Sequence, residues 1–277
     1  MIVFSLEILC VLLYAAASAC AAYGLVREHP RAAQVAKGLF YGALAIHSVV
    51  IGIESTQTSG TLLSGPNIVM LASWVLAVVT GVGLAVAKRG LGFALGAAPV
   101  SAVLIVVSQW MKILDPSGAD NLAFYQWPLL VPHIVLVFLA LACFAVSAAA
   151  SGMRLYQRRL MATRSAKVFS LNTPALDTLD TIARTSALVG LLVFTGAMLI
   201  GFTHMVALQA AMTQSHCLGG IGYLWPRIAL SLLISAVWSL YAALSFLAPW
   251  AVSARIRAFL SLGGFGLMLV LIAVSAG

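Results

Sequence analysis

Eight long apolar runs, separated by short polar breaks, constrain this chain more than any other feature of its sequence. About twenty consecutive apolar residues in a helix cross the hydrocarbon of a bilayer, and only helices or closed barrels satisfy every backbone group there without water. The strict alternation of barrel strands is missing, so the runs read as helices. They predict spans at about 2–26, 33–53, 67–87, 91–111, 128–156, 181–206, 223–247 and 256–276. The expected fold is all-α, a polytopic bundle of about eight transmembrane helices forming a single transmembrane domain over 1–277. With 62% hydrophobic and 8% charged residues, the chain carries more apolar surface than one soluble core can hide. The first run lacks a basic leading segment and carries Glu7, so it reads as a retained helix and not as a cleaved signal.

The one long interruption, from Gln157 to Asp180, starts with Arg158, Arg159, Arg164 and Lys167. It passes Asn172, Thr173 and Pro174 before an amphipathic Leu176, Leu179, Ile182 stretch. It reads as a loop and an interfacial helix leading into the sixth span.

Lys and Arg are retained on the cytoplasmic side of a membrane, and their distribution predicts orientation. Arg27, Arg31 and Lys37 flank the first loop, Lys88 and Arg89 the third. Arg154, Arg158, Arg159, Arg164, Lys167 and Arg184 flank the fifth, and Arg255 and Arg257 the seventh. The even-numbered loops hold only Lys112 and Arg227, so thirteen of the fifteen basic residues fall inside and both termini are expected outside. The net charge of +8 is thus a topology signal, and nucleic acid is not an expected partner. Cys10, Cys20 and Cys143 lie within spans and Cys217 in an outer loop; no CxxC is present for zinc, redox exchange or covalent heme attachment. No nucleophile and base pair, phosphate loop or carboxylate dyad stands out, and no enzyme is expected.

The histidines gather near one face. His47 falls about 9 Å short of the outer end of span two, and His133 about 8 Å from the outer start of span five. His204 lies just before the outer end of span six, and His216 follows in the outer loop; His29 alone is inside, in a basic loop. His133 shares a helical stripe with Ala140, Ser147 and Ser151. His204 shares one with Gly201, Ala197 and Gly190, small residues that admit a helix or a flat ligand. Two readings stand: imidazoles from different helices as axial ligands of a b-type heme, or interhelical hydrogen bonds to Ser or a backbone carbonyl.

Several segments together resemble the integral membrane cytochrome c assembly proteins of the CcsA and HemX type. They are Ala45-Ile46-His47-Ser48, Ser59-Gly60, Ala72-Ser73-Trp74, Leu129-Leu130-Val131-Pro132-His133-Ile134 and Leu155-Tyr156. Leu176-Asp177-Thr178-Leu179-Asp180, Gly190-Leu191-Leu192, Thr195-Gly196 and Trp238-Ser239-Leu240-Tyr241-Ala242 complete the series. The outer tryptophan-rich segment of the heme-lyase members is missing, and Ser245 and Phe246 stand where a further His often follows, so the chain is closer to the shorter HemX-like branch. The resemblance implies heme handling in a bacterial plasma membrane, for cytochrome c biogenesis, heme trafficking or its regulation. Heme b is the implied cofactor and His47, His133 and His204 the implied iron ligands; Arg227 is either a cation for a propionate, a partner of Glu54 or Asp115, or a side chain that snorkels to the interface. Trp74, Trp110, Trp127 and Trp225 either line the slot or anchor the protein at the interface. The expected partners are the lipid bilayer, heme and other membrane subunits of a cytochrome assembly or respiratory complex. A b-type cytochrome passing electrons to quinone and a heme-free scaffold are the rival classes; a transporter is a third.

Overall fold

Prolines set several of the helix boundaries. The pyrrolidine nitrogen has no proton to donate, which costs nothing in a first turn, where backbone N–H groups have no acceptor within the helix. Pro30, Pro66, Pro132 and Pro226 all stand there in the computed structural model, which describes residues 2–27, 29–57, 64–86, 91–114, 129–163, 175–214, 225–247, 250 and 252–276. Their helices and four others are α1 (Ile2–Arg27), α2 (Pro30–Gln57), α3 (Gly65–Val86), α4 (Leu91–Leu114), α5 (Leu130–Ala162), α6 (Leu176–Gln214), α7 (Trp225–Phe246) and α8 (Ala254–Ala276). All eight are long and apolar enough to cross a membrane, and among the described residues there is no strand. The chain is a multi-pass helical membrane protein, as the apolar runs predict.

One boundary differs in kind from its prediction. Leu176, Leu179 and Ile182 do not form a separate interfacial helix. They are the first turns of α6, and Leu179 is buried against Ala150, Met153 and Ala183. At 39 residues α6 is about 58 Å long, well beyond the ~30 Å that one crossing of the hydrocarbon needs.

The helices group into two halves. In the first, α1 packs on α2 and α4, and α3 on α4; in the second, α5 packs on α6 and α8, and α7 on α6 and α8. The halves meet where α3 and α4 lie against α5 and where α3 lies against α8. Lipid is as apolar as Leu, so helices in a membrane associate through close packing and interhelical hydrogen bonds, and the small residues serve the packing. In the first half Cys10, Tyr14 and Ala17 of α1 bury against Phe40 and Ala43 of α2 and Met70 of α3. Hydroxyls find partners across helices: Ser73 Oγ donates to the Ser101 carbonyl at 3.0 Å, and Tyr41 OH donates to the Gly81 carbonyl at 2.8 Å. In the second half Phe144 and Trp238 stack with ring centroids 4.1 Å apart, while Ser147 Oγ donates to the Ala183 carbonyl at 2.9 Å. Leu192, Leu199 and Phe202 on α6 are more than 60% exposed, a row that only lipid or a partner chain can cover.

The contacts define two ends of the bundle. One end gathers the start of α1, the end of α2, the start of α3 and the end of α4, as the Ser108 hydrogen bond to the Pro66 carbonyl shows. The start of α5 and the second half of α6 meet there too, bringing His133 to Ala197. The opposite end carries the arginines: Arg154 near the end of α5 meets Asp180 near the start of α6. We call these the histidine end and the arginine end.

Candidate functional site

His133 is half-buried three residues into α5, with its ring against α6. Its Nδ1 donates to the Ala197 carbonyl at 2.9 Å, because a backbone carbonyl can only accept. That tautomer leaves the lone pair on Nε2. Gly201 makes the approach possible, since a Cβ at this position would lie 3.0 Å from His133 Cε1. One turn further along α6, His204 is near enough for the two imidazoles to interact electrostatically. An imidazole oriented by a hydrogen bond through one ring nitrogen is the usual arrangement of an iron-ligating histidine.

His47 belongs to the other half. It is 1% exposed on α2, its Nδ1 is 3.4 Å from Tyr14 OH of α1, and the Met70 backbone carbonyl lies beside the ring. Its Nε2 is buried with no hydrogen-bond partner. The matched depth expected for His47 and His133 shifts with the helix ends. α2 runs on to Gln57, leaving His47 about 15 Å from that end, while His133 is about 5 Å from the start of α5. The imidazole that the fold brings to His133 is His204. α6 also continues two turns beyond its expected end, to Gln214, so His204 is not terminal on its helix. His29 is exposed at the arginine end, and His216 lies outside the described residues.

The small-residue stripe of α6 is used in helix packing. Gly190 takes the Phe144 ring, Ala197 accepts from His133, and Gly201 faces the same imidazole. Ala140, Ser147 and Ser151, which share the stripe of His133, are buried as their spacing predicts. Arg227 stands half-buried in the first turn of α7, where Ser231 Oγ donates to its carbonyl at 2.8 Å. Trp74 Nε1 donates to Ser48 Oγ at 2.9 Å, while Trp110 and Trp225 are about 60% exposed at the histidine end, as interfacial anchors are. Trp127 and Cys217 lie outside the described residues.

The histidine end also holds a cluster that sequence reasoning missed. Lys112 in the last turn of α4 donates to Glu7 of α1 at 3.2 Å and to Glu54 of α2 at 3.0 Å, and Asn67 Nδ2 of α3 donates to the second Glu54 oxygen at 3.3 Å. Both carboxylates are buried. One ammonium thus ties three helices, and Asn67 adds the fourth through Glu54. A charge taken out of water is costly unless paired, which explains why Lys112 turns inward. Glu54, a candidate partner for Arg227 by sequence, is held by Lys112 instead. The available signal was the position of all three charges at the outer ends of apolar runs, Glu7 inside the first and Glu54 and Lys112 immediately after the second and fourth, where ionisable groups are rare and have partners. Asp180 pairs with Arg184 on its own helix and also with Arg154 from α5, a pairing between helices that spacing cannot show.

Among the described residues no three His, Cys, Asp or Glu side chains converge as a site for a bare metal ion. Heme needs less, since the macrocycle supplies four nitrogens and the protein one or two axial ones. An apolar groove of about 360 Å³ runs along Pro99, Val103 and Val107 of α4 and Leu269, Val270 and Ala273 of α8, but it presents no iron-ligating side chain. The donor chemistry at His133 and His204 fits heme iron. In comparisons with protein-family models, curated proteins and solved structures, nothing matches the chain.

Proposed function

We propose that this chain handles heme in a bacterial plasma membrane, holding b-type heme at the histidine end for cytochrome c biogenesis, heme trafficking or its regulation. The observation that carries the reading is the hydrogen bond from His133 Nδ1 to the Ala197 carbonyl, which orients the ring and fixes its tautomer. His204 is the neighbouring imidazole, and Arg227 at the start of α7 is the cation for a propionate. His47, beside Tyr14 in the other half, stands apart from this pair. The sequence resemblance to the HemX-like branch agrees with this chemistry. By the positive-inside rule the arginine end is cytoplasmic, so the histidine end and both termini are extracytoplasmic.

The test is a reduced minus oxidised visible spectrum of the detergent-purified protein. A b-type spectrum is the expected result. A colourless protein that also takes up no added hemin would select a heme-free scaffold, a reading favoured by one observation: α5 itself fills the Gly190, Ala197 and Gly201 stripe.

A further inference from the structure

Three arginines from three helices converge at the arginine end. Arg154 of α5 and Arg184 of α6 each donate to one oxygen of Asp180, occupying both. Arg257 of α8 is 7% exposed, and Arg154 is close enough to Arg158, Arg184 and Arg257 to feel their charges. One carboxylate therefore faces several guanidiniums. Arginine cannot shed its proton in a protein, so this excess charge cannot be neutralised by titration. Nor is the hydrogen bonding complete: the Nε–H groups of Arg154 and Arg184 are buried without an acceptor. Among the described residues the one other acid at this end is Asp177, which is exposed. The N-terminus of α6 adds the positive end of its dipole.

We infer that Arg154, Arg184 and Arg257 form a binding site for the phosphate of an anionic phospholipid. Guanidinium forks match phosphate oxygens in pairs, and buried N–H groups without acceptors are what such an oxygen satisfies. Depth identifies the source. Arg154 lies about 36 Å along α5 from Leu130, and Arg257 about 29 Å along α8 from Ala276, against ~30 Å of hydrocarbon. Both are at headgroup level, where lipid phosphates reside at high local concentration. The lipid phosphate would complete the charge balance of the three guanidiniums and Asp180.

Native mass spectrometry of the purified full chain, exchanged into an equal mixture of phosphatidylglycerol and phosphatidylcholine, tests this directly. The wild type should retain phosphatidylglycerol over phosphatidylcholine by about tenfold, the worth of one charge-assisted hydrogen bond. Arg257→Gln should lose most of that preference. Arg255→Gln removes the same charge two positions away on an exposed side chain, and should keep it. Equal retention of both lipids by the wild type would overturn the proposal, and that comparison decides even when Arg257→Gln does not fold. Equal losses in the two variants would also overturn it, by reducing the effect to general attraction of a basic surface. In a parallel thermal melt, inorganic phosphate should not reproduce the stabilisation given by phosphatidylglycerol. If it does, the arginines serve a soluble phosphate and the lipid assignment fails.

Discussion

Phe144 of α5 and Trp238 of α7 lie face to face, 4.1 Å between ring centroids and 7° between planes, with a glycine on each outer side. A Cβ on Gly190 would lie 2.7 Å from the Phe144 ring, and one on Gly264 would lie 2.9 Å from the indole. Both rings are fully buried, so neither can swing aside. Gly190→Ala and Gly264→Ala should each destabilise the protein by about 1–3 kcal/mol, the usual cost of overpacking. Gly52→Ala, with open space at its Cβ, should stay within about 1 kcal/mol of the wild type. Thermal unfolding in detergent followed by tryptophan fluorescence measures all three; equal midpoints for Gly190→Ala and Gly52→Ala would refute the close approach.

Lys112 makes a second prediction. Lys112→Met leaves Glu7 and Glu54 buried without a counter-charge and should cost about 3–5 kcal/mol. Combining it with Glu7→Gln and Glu54→Gln removes the orphaned charges and should recover most of that loss. A triple variant no more stable than Lys112→Met would show that the ion pairs are not what the lysine contributes.

The spans were legible because about twenty apolar residues in a row leave few other folds open. Their ends were not. α2, α5 and α6 continue beyond their apolar stretches, through Gln57, Arg158 and Gln214, because a helix can run on into the headgroups or water once the lipid requirement is met. The small stripe through Gly190, Ala197 and Gly201 was legible as a place of close approach. What approaches, Phe144 and His133 from α5, depends on the relative rotation of two helices, which spacing within one helix does not encode. The same limit hid Lys112 between Glu7 and Glu54, three charges spread over three helices. Trp238 and Tyr241 of the Trp-x-x-Tyr-Ala segment carried part of the family resemblance, and the fold uses them as buried packing in the second half.

Orientation is the third prediction. With thirteen of the fifteen basic residues assigned by sequence to the odd-numbered loops, alkaline phosphatase fused after Gly277 should be active in cells, since it folds only outside the cytoplasm. A cytoplasmic reporter such as a fluorescent protein should be dark at the same position. The reverse pair of results would invert the bundle and move the histidine end to the cytoplasm.

The heme reading stands or falls on one nitrogen, Nε2 of His133. Hemin binding to the purified wild type and to His133→Ala, followed by the visible spectrum with His204→Ala and His47→Ala alongside, measures its contribution. His133→Ala should abolish the bound-heme spectrum, because the oriented ligand is gone, while His204→Ala should keep some heme with an altered spectrum or faster release. His47→Ala, in the other half, should bind as the wild type does. Equal heme content and identical spectra for the wild type and His133→Ala would contradict the assignment, and a scaffold without heme would then be the better description.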